Sequence, residues 1–369
     1  MSTRNDNLTK DLIDASKYGD IEKVKKLLKS GINVNRKNSL GRNALLYASH
    51  FGHTSIVKVL LKHNASLTDV DNDDCNALIF AAQKGQTEVV KYLIEKGADI
   101  YCINRFHRNA LMEASFNGRT ETVGFLLSKD FNIKQTDNDG DSALLLACQA
   151  GHLSTVELLL QHEASLTEVN KDGYNALLNA ARCGHTELVK FLIKKGSDIN
   201  CVNKSHRNSL MEACFNGHEE TVRLLLTQNV NINQMNCYGY NALLIIACEN
   251  KQIEIVMLLL QYQGSLSDAT KERFNTLIQA ALKGNTEIVT FLIENNTTRT
   301  DNEKESALLI GCVVGHLSIV ELLLQHRASL IQVDGNGFNV LIRVAKGGHT
   351  EFVKFLFENR PDINCITIF

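Results

Sequence analysis

Residues 175–207 read NALLNAARCGHTELVKFLIKKGSDINCVNKSHR, and residues 76–108 read NALIFAAQKGQTEVVKYLIEKGADIYCINRFHR; the two stretches share 20 of 33 positions. Both divide in the same way. An Asn (Asn175, Asn76) stands where it can cap a helix by accepting a backbone N–H, and Ala-Leu follows as a strong helix-forming start. Gly184 and Gly85 close that first segment, because glycine enters the left-handed C-terminal geometry at little cost. A second segment, as in Thr87 to Ile94, alternates charged and aliphatic residues at helical spacing and ends near Gly97. A polar turn from Asp99 to Arg108 leads to the next unit.

The frame repeats at an offset of 33 from Asn43-Ala44-Leu45 through Asn241-Ala242-Leu243. It slips at Asn275-Thr276-Leu277 and Ser306-Ala307-Leu308, then resumes at Asn339-Val340-Leu341. A fixed period of this length predicts an all-α repeat solenoid. Neither helix of a unit is long enough to persist alone in water, so stacking must bury the apolar faces. Ala48, Ala81, Ala114, Ala147, Ala180 and Ala213 recur at one first-helix position, as close helix approach requires.

The pattern resembles the ankyrin-repeat family. Gly-His recurs at Gly52-His53, Gly151-His152, Gly184-His185, Gly217-His218, Gly315-His316 and Gly348-His349, and Gly97-Ala98-Asp99-Ile100 and Gly196-Ser197-Asp198-Ile199-Asn200 supply the family's unit ending. About eleven units from Asp11 onward follow it. The resemblance implies stacked helix-turn-helix repeats with finger-like loops and a partner held on the concave side. The family's Thr-Pro-Leu-His opening is replaced by Asn-Ala-Leu and an apolar residue. Apolar packing is therefore expected to take over from the hydrogen bonds that the family's Thr and His share between repeats.

The units read as a polar, disordered tail (1–10), a capping repeat (11–42), regular repeats 2–7 (43–240), irregular repeats 8–9 (241–305) and C-terminal repeats 10–11 (306–369). A second period of 99 residues overlies the first, and residues 142–174 and 306–338 share 21 of 33 positions. Lys251 stands where other units have Gly, and Asn295-Asn296-Thr297-Thr298-Arg299 replaces the usual ending. These departures predict a change of curvature, or a hinge, between about Asn241 and Glu305. The apolar end Cys365-Ile366-Thr367-Ile368-Phe369 is expected to fold back, to be covered by another chain, or to mark a fragment.

Composition narrows the function. The net charge of −2 gives no global field for phosphate backbones, so no nucleic acid is expected as a general partner, and no segment has the length to insert in a membrane. Ten cysteines without a CxxC pair read as reduced thiols in an intracellular protein, cytoplasmic with the nucleus also open. Cys148, Cys214, Cys248 and Cys312 read as core residues, and Cys102, Cys201 and Cys365 as exposed loop residues. The Gly-His histidines stand a full repeat apart, which refuses a metal site and fits a turn-stabilising role. No cofactor, small-molecule substrate or catalytic residue is expected, for there is no phosphate loop, nucleophile elbow or zinc motif.

The resemblance places the groove at Tyr47, His50 and Phe51; Phe80, Gln83 and Lys84; Glu113, Phe116 and Asn117; Asn179 and Arg182; and Glu212, Phe215 and Asn216. Its fingers carry Arg105, Phe106, His107 and Arg108, Tyr174, His206 and Arg207, and Tyr238 and Tyr240. Aromatic residues on a pre-formed face suit binding hot spots. The fingers alternate in charge, Asp69 to Asp74 followed by Arg105 to Arg108 and then Asp137 to Asp141, which reads as mutual complementation between neighbours rather than a code for a partner. The expected function is a non-catalytic scaffold binding one or more proteins. The alternatives are a targeting adaptor of an enzyme complex such as a ubiquitin ligase, a membrane–cytoskeleton tether, or a fragment of a larger repeat protein.

Overall fold

A computed structural model describes residues 2–369 except 130, 229, 233, 235–246, 248–249, 251, 264–268, 295–300, 330–343 and 360–369. The described residues divide into two compact units, Met1–Lys204 and Ser205–Phe369. Apart from one isolated bridge between Thr136 and Ser142, all regular structure among them is helical.

In the first unit, first helices α1 (Ser2–Tyr18), α3 (Ala44–Phe51), α5 (Ala77–Lys84), α7 (Ala110–Phe116), α9 (Ala143–Ala150) and α11 (Ala176–Arg182) form one row. Second helices α2 (Ile21–Lys29), α4 (Thr54–Lys62), α6 (Thr87–Glu95), α8 (Thr120–Leu127), α10 (Leu153–Gln161) and α12 (Thr186–Lys194) form another. Each first helix packs on the first helices either side and on its own second helix. This is the nearest-neighbour architecture of a solenoid.

The caps follow the sequence. Oδ1 of Asn43, Asn76, Asn109 and Asn175 accepts from the N–H three residues on at 2.8–3.0 Å, and Ser142 Oγ does so at 3.3 Å. The same side chains do more. Asn43 Nδ2 donates to Asp69 Oδ2 (2.7 Å), Asn109 Nδ2 to Gln135 Oε1 (2.9 Å), Ser142 Oγ to Glu168 Oε1 (2.6 Å) and Asn175 Nδ2 to Cys201 Sγ (3.0 Å). At these four positions the cap ties its helix to a loop 26 residues on. This corrects the expectation that packing alone replaces the family's polar network.

The Gly-His turns supply a second polar ladder. His53 Nε2 bonds the carbonyl of Lys17, His152 that of Phe116 and His185 that of Gln149, at 2.9–3.1 Å, each reaching 36 residues back into the preceding repeat. Gln86 and Arg119 occupy the same place and donate to the carbonyls of His50 and Gln83. Glycine is required beside them: a Cβ on Gly151, whose φ is +79°, would lie 2.5 Å from His185 Nδ1.

Between these ladders lies the apolar core. Leu60, Leu93, Leu126, Leu159 and Leu192 and the alanine column Ala48 to Ala180 have no exposed surface. Burying each leucine contributes about 1.5–3 kcal/mol. No helix here could retain that gain if detached.

The second unit contains α13 (Ser209–Phe215), α14 (Glu219–Leu226), α15 (Ile253–Gln263), α16 (Ala269–Lys283), α17 (Thr286–Glu294), α18 (Asp301–Val314), α19 (Leu317–Gln325) and α20 (Thr350–Asn359). Helices α16 and α18 have 15 and 14 residues, about twice the regular first helix. Asn275 and Ser306, read as caps, therefore lie inside helices. The preceding residues Lys271-Glu272-Arg273 and Glu303-Lys304-Glu305 are good helix formers and replace the turn-forming finger of other units.

One boundary is corrected as well. The N-terminal residues read as a disordered tail belong to α1, which starts at Ser2 and is closed by Gly19 at φ +81°. They continue the helical register of Leu12 and Ile13 into the cap. Cys248, Lys251, Tyr238, Tyr240 and the segment Cys365 to Phe369 lie outside the described residues.

Candidate interaction surface

The fingers are built on a recurring Asn or Asp. Asn38, Asp71, Asn104, Asp137 and Asn170 each accept, through Oδ1, from the backbone N–H groups two and four residues on, at 2.9–3.1 Å. This column was not singled out from sequence, although its 33-residue spacing is visible there. Adjacent fingers then bond to one another: Asn72 N–H to Leu40 O, Arg105 N–H to Asp73 O, Asn138 N–H to Phe106 O and Lys171 N–H to Asp139 O.

Their charges pair across fingers. Arg42 Nε lies 2.9 Å from Asp71 Oδ2, Arg108 Nε lies 2.8 Å from Asp137 Oδ2, and Arg105 reaches Asp73 at 2.6 Å. The alternation in sequence is complementation between neighbours. Asp137, Asp139 and Asp141 form the one group with metal-ligand spacing among the described residues. Asp137 is already paired with Arg108 and Asp141 accepts from Asn170 Nδ2 at 2.9 Å, so these oxygens serve the finger. Burial raises the Asp141 carboxyl above its ordinary range.

The first-helix face carries the residues expected to meet a partner. Phe51 is 42% exposed, Lys84 and Arg182 are exposed, and Tyr47, Gln83, Phe116 and Asn117 are half-buried. Phe80, Glu113 and Asn179 are buried, which corrects the expectation that they face outward. Neighbours draw Phe80 and Glu113 inward. Phe80 lies under the Arg42 guanidinium at 4.6 Å and against the His50 ring at 5.5 Å. Glu113 accepts from Asn104 Nδ2 at 3.0 Å and from Gln83 Nε2 at 3.1 Å, joining its own finger to the preceding repeat.

His50 is wedged between Phe51 and Phe80 with Nδ1 unpartnered. Burial first, and the charges of Lys84 and Arg42 next, lower its pKa to about 4. It is a neutral ring near pH 7. Burial also pushes the Cys75 thiol up to about 12 and raises those of Cys148, Cys214 and Cys312. Cys102 and Cys201 are half-buried rather than open to solvent.

A cation–aromatic motif recurs along the face. Arg108 stacks on Phe116 (5.0 Å) and Phe106 (6.0 Å), and Arg182 on Tyr174 (5.0 Å). Phe106 is 47% exposed at its fingertip, beside exposed Arg105 and His107. In the second unit Arg207 lies over Phe215 at 4.3 Å, Phe215 and Asn216 are exposed, and His206 is an exposed fingertip. Glu212 is buried, again contrary to expectation, 3.9 Å from Arg207.

A feature unread from sequence lies at the N-terminal end of the first unit. Thr9, Lys10, Ile13, Asp14, Lys17, Arg36, Lys37, Asn38 and Tyr47 line a cavity of about 450 Å³. Among the described lining residues, Lys10, Lys17, Arg36 and Lys37 stand with Asp14. The only signal in the sequence was a local excess of Lys and Arg.

A family model described as ankyrin repeats (3 copies) matches residues 12–104, 111–203, 177–272 and 277–367. The chain is similar to the Ankyrin repeat and KH domain-containing protein mask-1 of Caenorhabditis elegans, with 30% identity over 121 residues, 33% of this chain and 4% of that protein. It is also similar to an Ankyrin repeat and KH domain-containing protein of Caenorhabditis briggsae, with 32% identity over 113 residues, 30% of this chain and 4% of the relative. The matched segment thus spans a small fraction of either relative. No described helix is long and apolar enough to cross a membrane.

Proposed function

The chain belongs to the ankyrin-repeat family, whose repeats are generally protein–protein interaction modules, and from that premise we propose that it is a non-catalytic scaffold that holds a partner protein on its first-helix face and fingers. In the first unit this surface runs from Tyr47 to Arg182 and includes Arg105 to Arg108. In the second, Phe215, Asn216 and His206 present the same chemistry. The observation that carries the reading is the exposure of Phe51 and Phe106, with half-buried Phe116, on a face already tied together by inter-repeat bonds. Such residues bury a large area on binding and lose little side-chain freedom. Pre-organisation lowers the ordering cost that weakens flexible binders.

Two carboxylates that burial perturbs are engaged in the fold, Asp141 bonding Asn170 and Glu168 bonding Ser142, which supports a non-catalytic role for them. Free thiols at all described cysteines fit a reducing, intracellular compartment. The test is affinity capture from cell extract with the wild-type chain beside Phe51→Ala/Phe116→Ala. Phe80 is left intact because its burial makes an alanine there a stability variant. Loss of specific partners from the double variant, with an unchanged melting curve, is expected; equal retention of every partner by both proteins overturns the reading.

A further inference from the structure

We propose that the cavity between α1 and the first finger is a docking site for an acidic protein segment, entering the first-helix face at its N-terminal end. This rests on the reading of that face as the partner surface and names the chemistry of what it holds. The cavity's size lies within the range of about 300–1,000 Å³ typical of ligand sites. Its charge is what selects the occupant.

Lys10 and Lys17 have no salt bridge among the described residues; the Lys17 ammonium lies 5.0 Å from the Tyr18 ring. Lys37 is partly committed, donating to Val70 O at 2.7 Å with Asp69 at 3.9 Å, and Arg36 beside it is engaged as well, which leaves Lys10 and Lys17 as the cations the occupant would pair. In a chain of net charge −2, four cations converging on one opening are a local departure from the whole. Ile13 and the Tyr47 ring add apolar wall, so carboxylates carried on a segment with an apolar residue match the lining.

The surface leading away from the cavity matches as well. First helices α3, α5, α9 and α11 contain no Asp or Glu, and the single carboxylate of α7, Glu113, is buried and bonded. What they show is Phe51, Lys84, Phe116 and Arg182. An extended segment with carboxylates and aromatic or aliphatic residues can follow these helices without meeting an exposed carboxylate on them. A small anion would use only the mouth.

The test is fluorescence anisotropy of the full chain with a labelled short peptide of Glu and Asp around a central Phe, and with its Gln/Asn counterpart. Lys10→Glu/Lys17→Glu is compared with Lys190→Glu/Lys194→Glu, which makes the same change in net charge on exposed positions of α12. Circular dichroism melts check that both fold. The acidic peptide should bind at least about tenfold more tightly than the amide peptide, lose about tenfold in the Lys10/Lys17 variant, and keep its affinity in the α12 variant. Equal binding of the two peptides overturns the proposal, as does equal weakening by both variants. So does binding of duplex DNA or phosphatidylserine vesicles as tight as the peptide's. Should this proposal alone fail, partner capture still depends on Phe51 and Phe116; should the scaffold reading fail, capture ignores those residues while the peptide result stands apart.

Discussion

Arg108 Nε donates at 2.8 Å to Oδ2 of Asp137, a carboxylate 1% exposed at the base of the next finger. The other oxygen of Asp137 accepts the N–H groups of Asp139 and Asp141, so one buried side chain shapes its own finger and receives its neighbour. Arg42 and Asp71 repeat the arrangement two units earlier. Solenoid stability is a sum of unit and interface terms, and these pairs belong to the interface.

Removing the cation therefore strands a buried charge. Arg108→Ala should destabilise the chain by about 2–3 kcal/mol, below the upper range for a broken buried pair because Arg108 is partly exposed. Arg105→Ala, which breaks the exposed pair with Asp73, should cost under about 1 kcal/mol. Urea unfolding of both variants checks the contrast, and equal losses would refute the distinction.

Asn109 performs two tasks, capping α7 through Oδ1 and bridging to Gln135 through Nδ2. Gln135→Ala should keep the cap but remove the bridge, at about 1 kcal/mol; Asn109→Ala should lose both, at about 2 kcal/mol. Ordered denaturation midpoints, wild type above Gln135→Ala above Asn109→Ala, are the expected result. A Gln135→Ala variant as stable as wild type would show that the bridge contributes nothing.

The turn glycines offer a test of the second ladder. Gly151→Ala places a Cβ against His185 in a left-handed backbone, and should cost about 2–3 kcal/mol. His185→Ala alone should cost about 1 kcal/mol by deleting its bond to Gln149 O. In the double variant the clash is gone, so the two losses should sum to less than their separate values. Strict additivity in a double-mutant cycle would mean the ring and the turn are not coupled.

How far the fold and its surface could be read in advance follows from the same residues. Helix caps at Asn43 to Asn175, the alanine column and the turn glycines were legible because each needs one residue type at a fixed phase. Finger complementation was legible from alternating charge. What escaped was the second bond made by the caps Asn43, Asn109, Ser142 and Asn175, since nothing at Asn109 points to Gln135 without the stack. The burial of Phe80 and Glu113 escaped too: one helix face is offered by the repeat, but Arg42, Gln83 and Asn104 decide that these side chains turn inward. The long helices α16 and α18 were hidden because the cap pattern persists at Asn275 and Ser306 after the finger that gave it meaning has gone.

His50 gives the chain a pH dependence with a definite sign. Its folded pKa is about 4 against an ordinary 6.5, because burial comes first and the charges of Lys84 and Arg42 add to it. The unfolded chain therefore binds the proton more readily. Stability from this group is fully present above pH 6.5 and declines as the pH falls from 6.5 toward 4. Partial exposure of the ring keeps the effect to about 1 kcal/mol. Urea midpoints at pH 7 and pH 5 should differ less in His50→Gln than in wild type, and the His50 imidazole should titrate in NMR well below the ordinary histidine range. A resonance titrating near 6.5 would remove the burial argument and, with it, the aromatic wedge between Phe51 and Phe80.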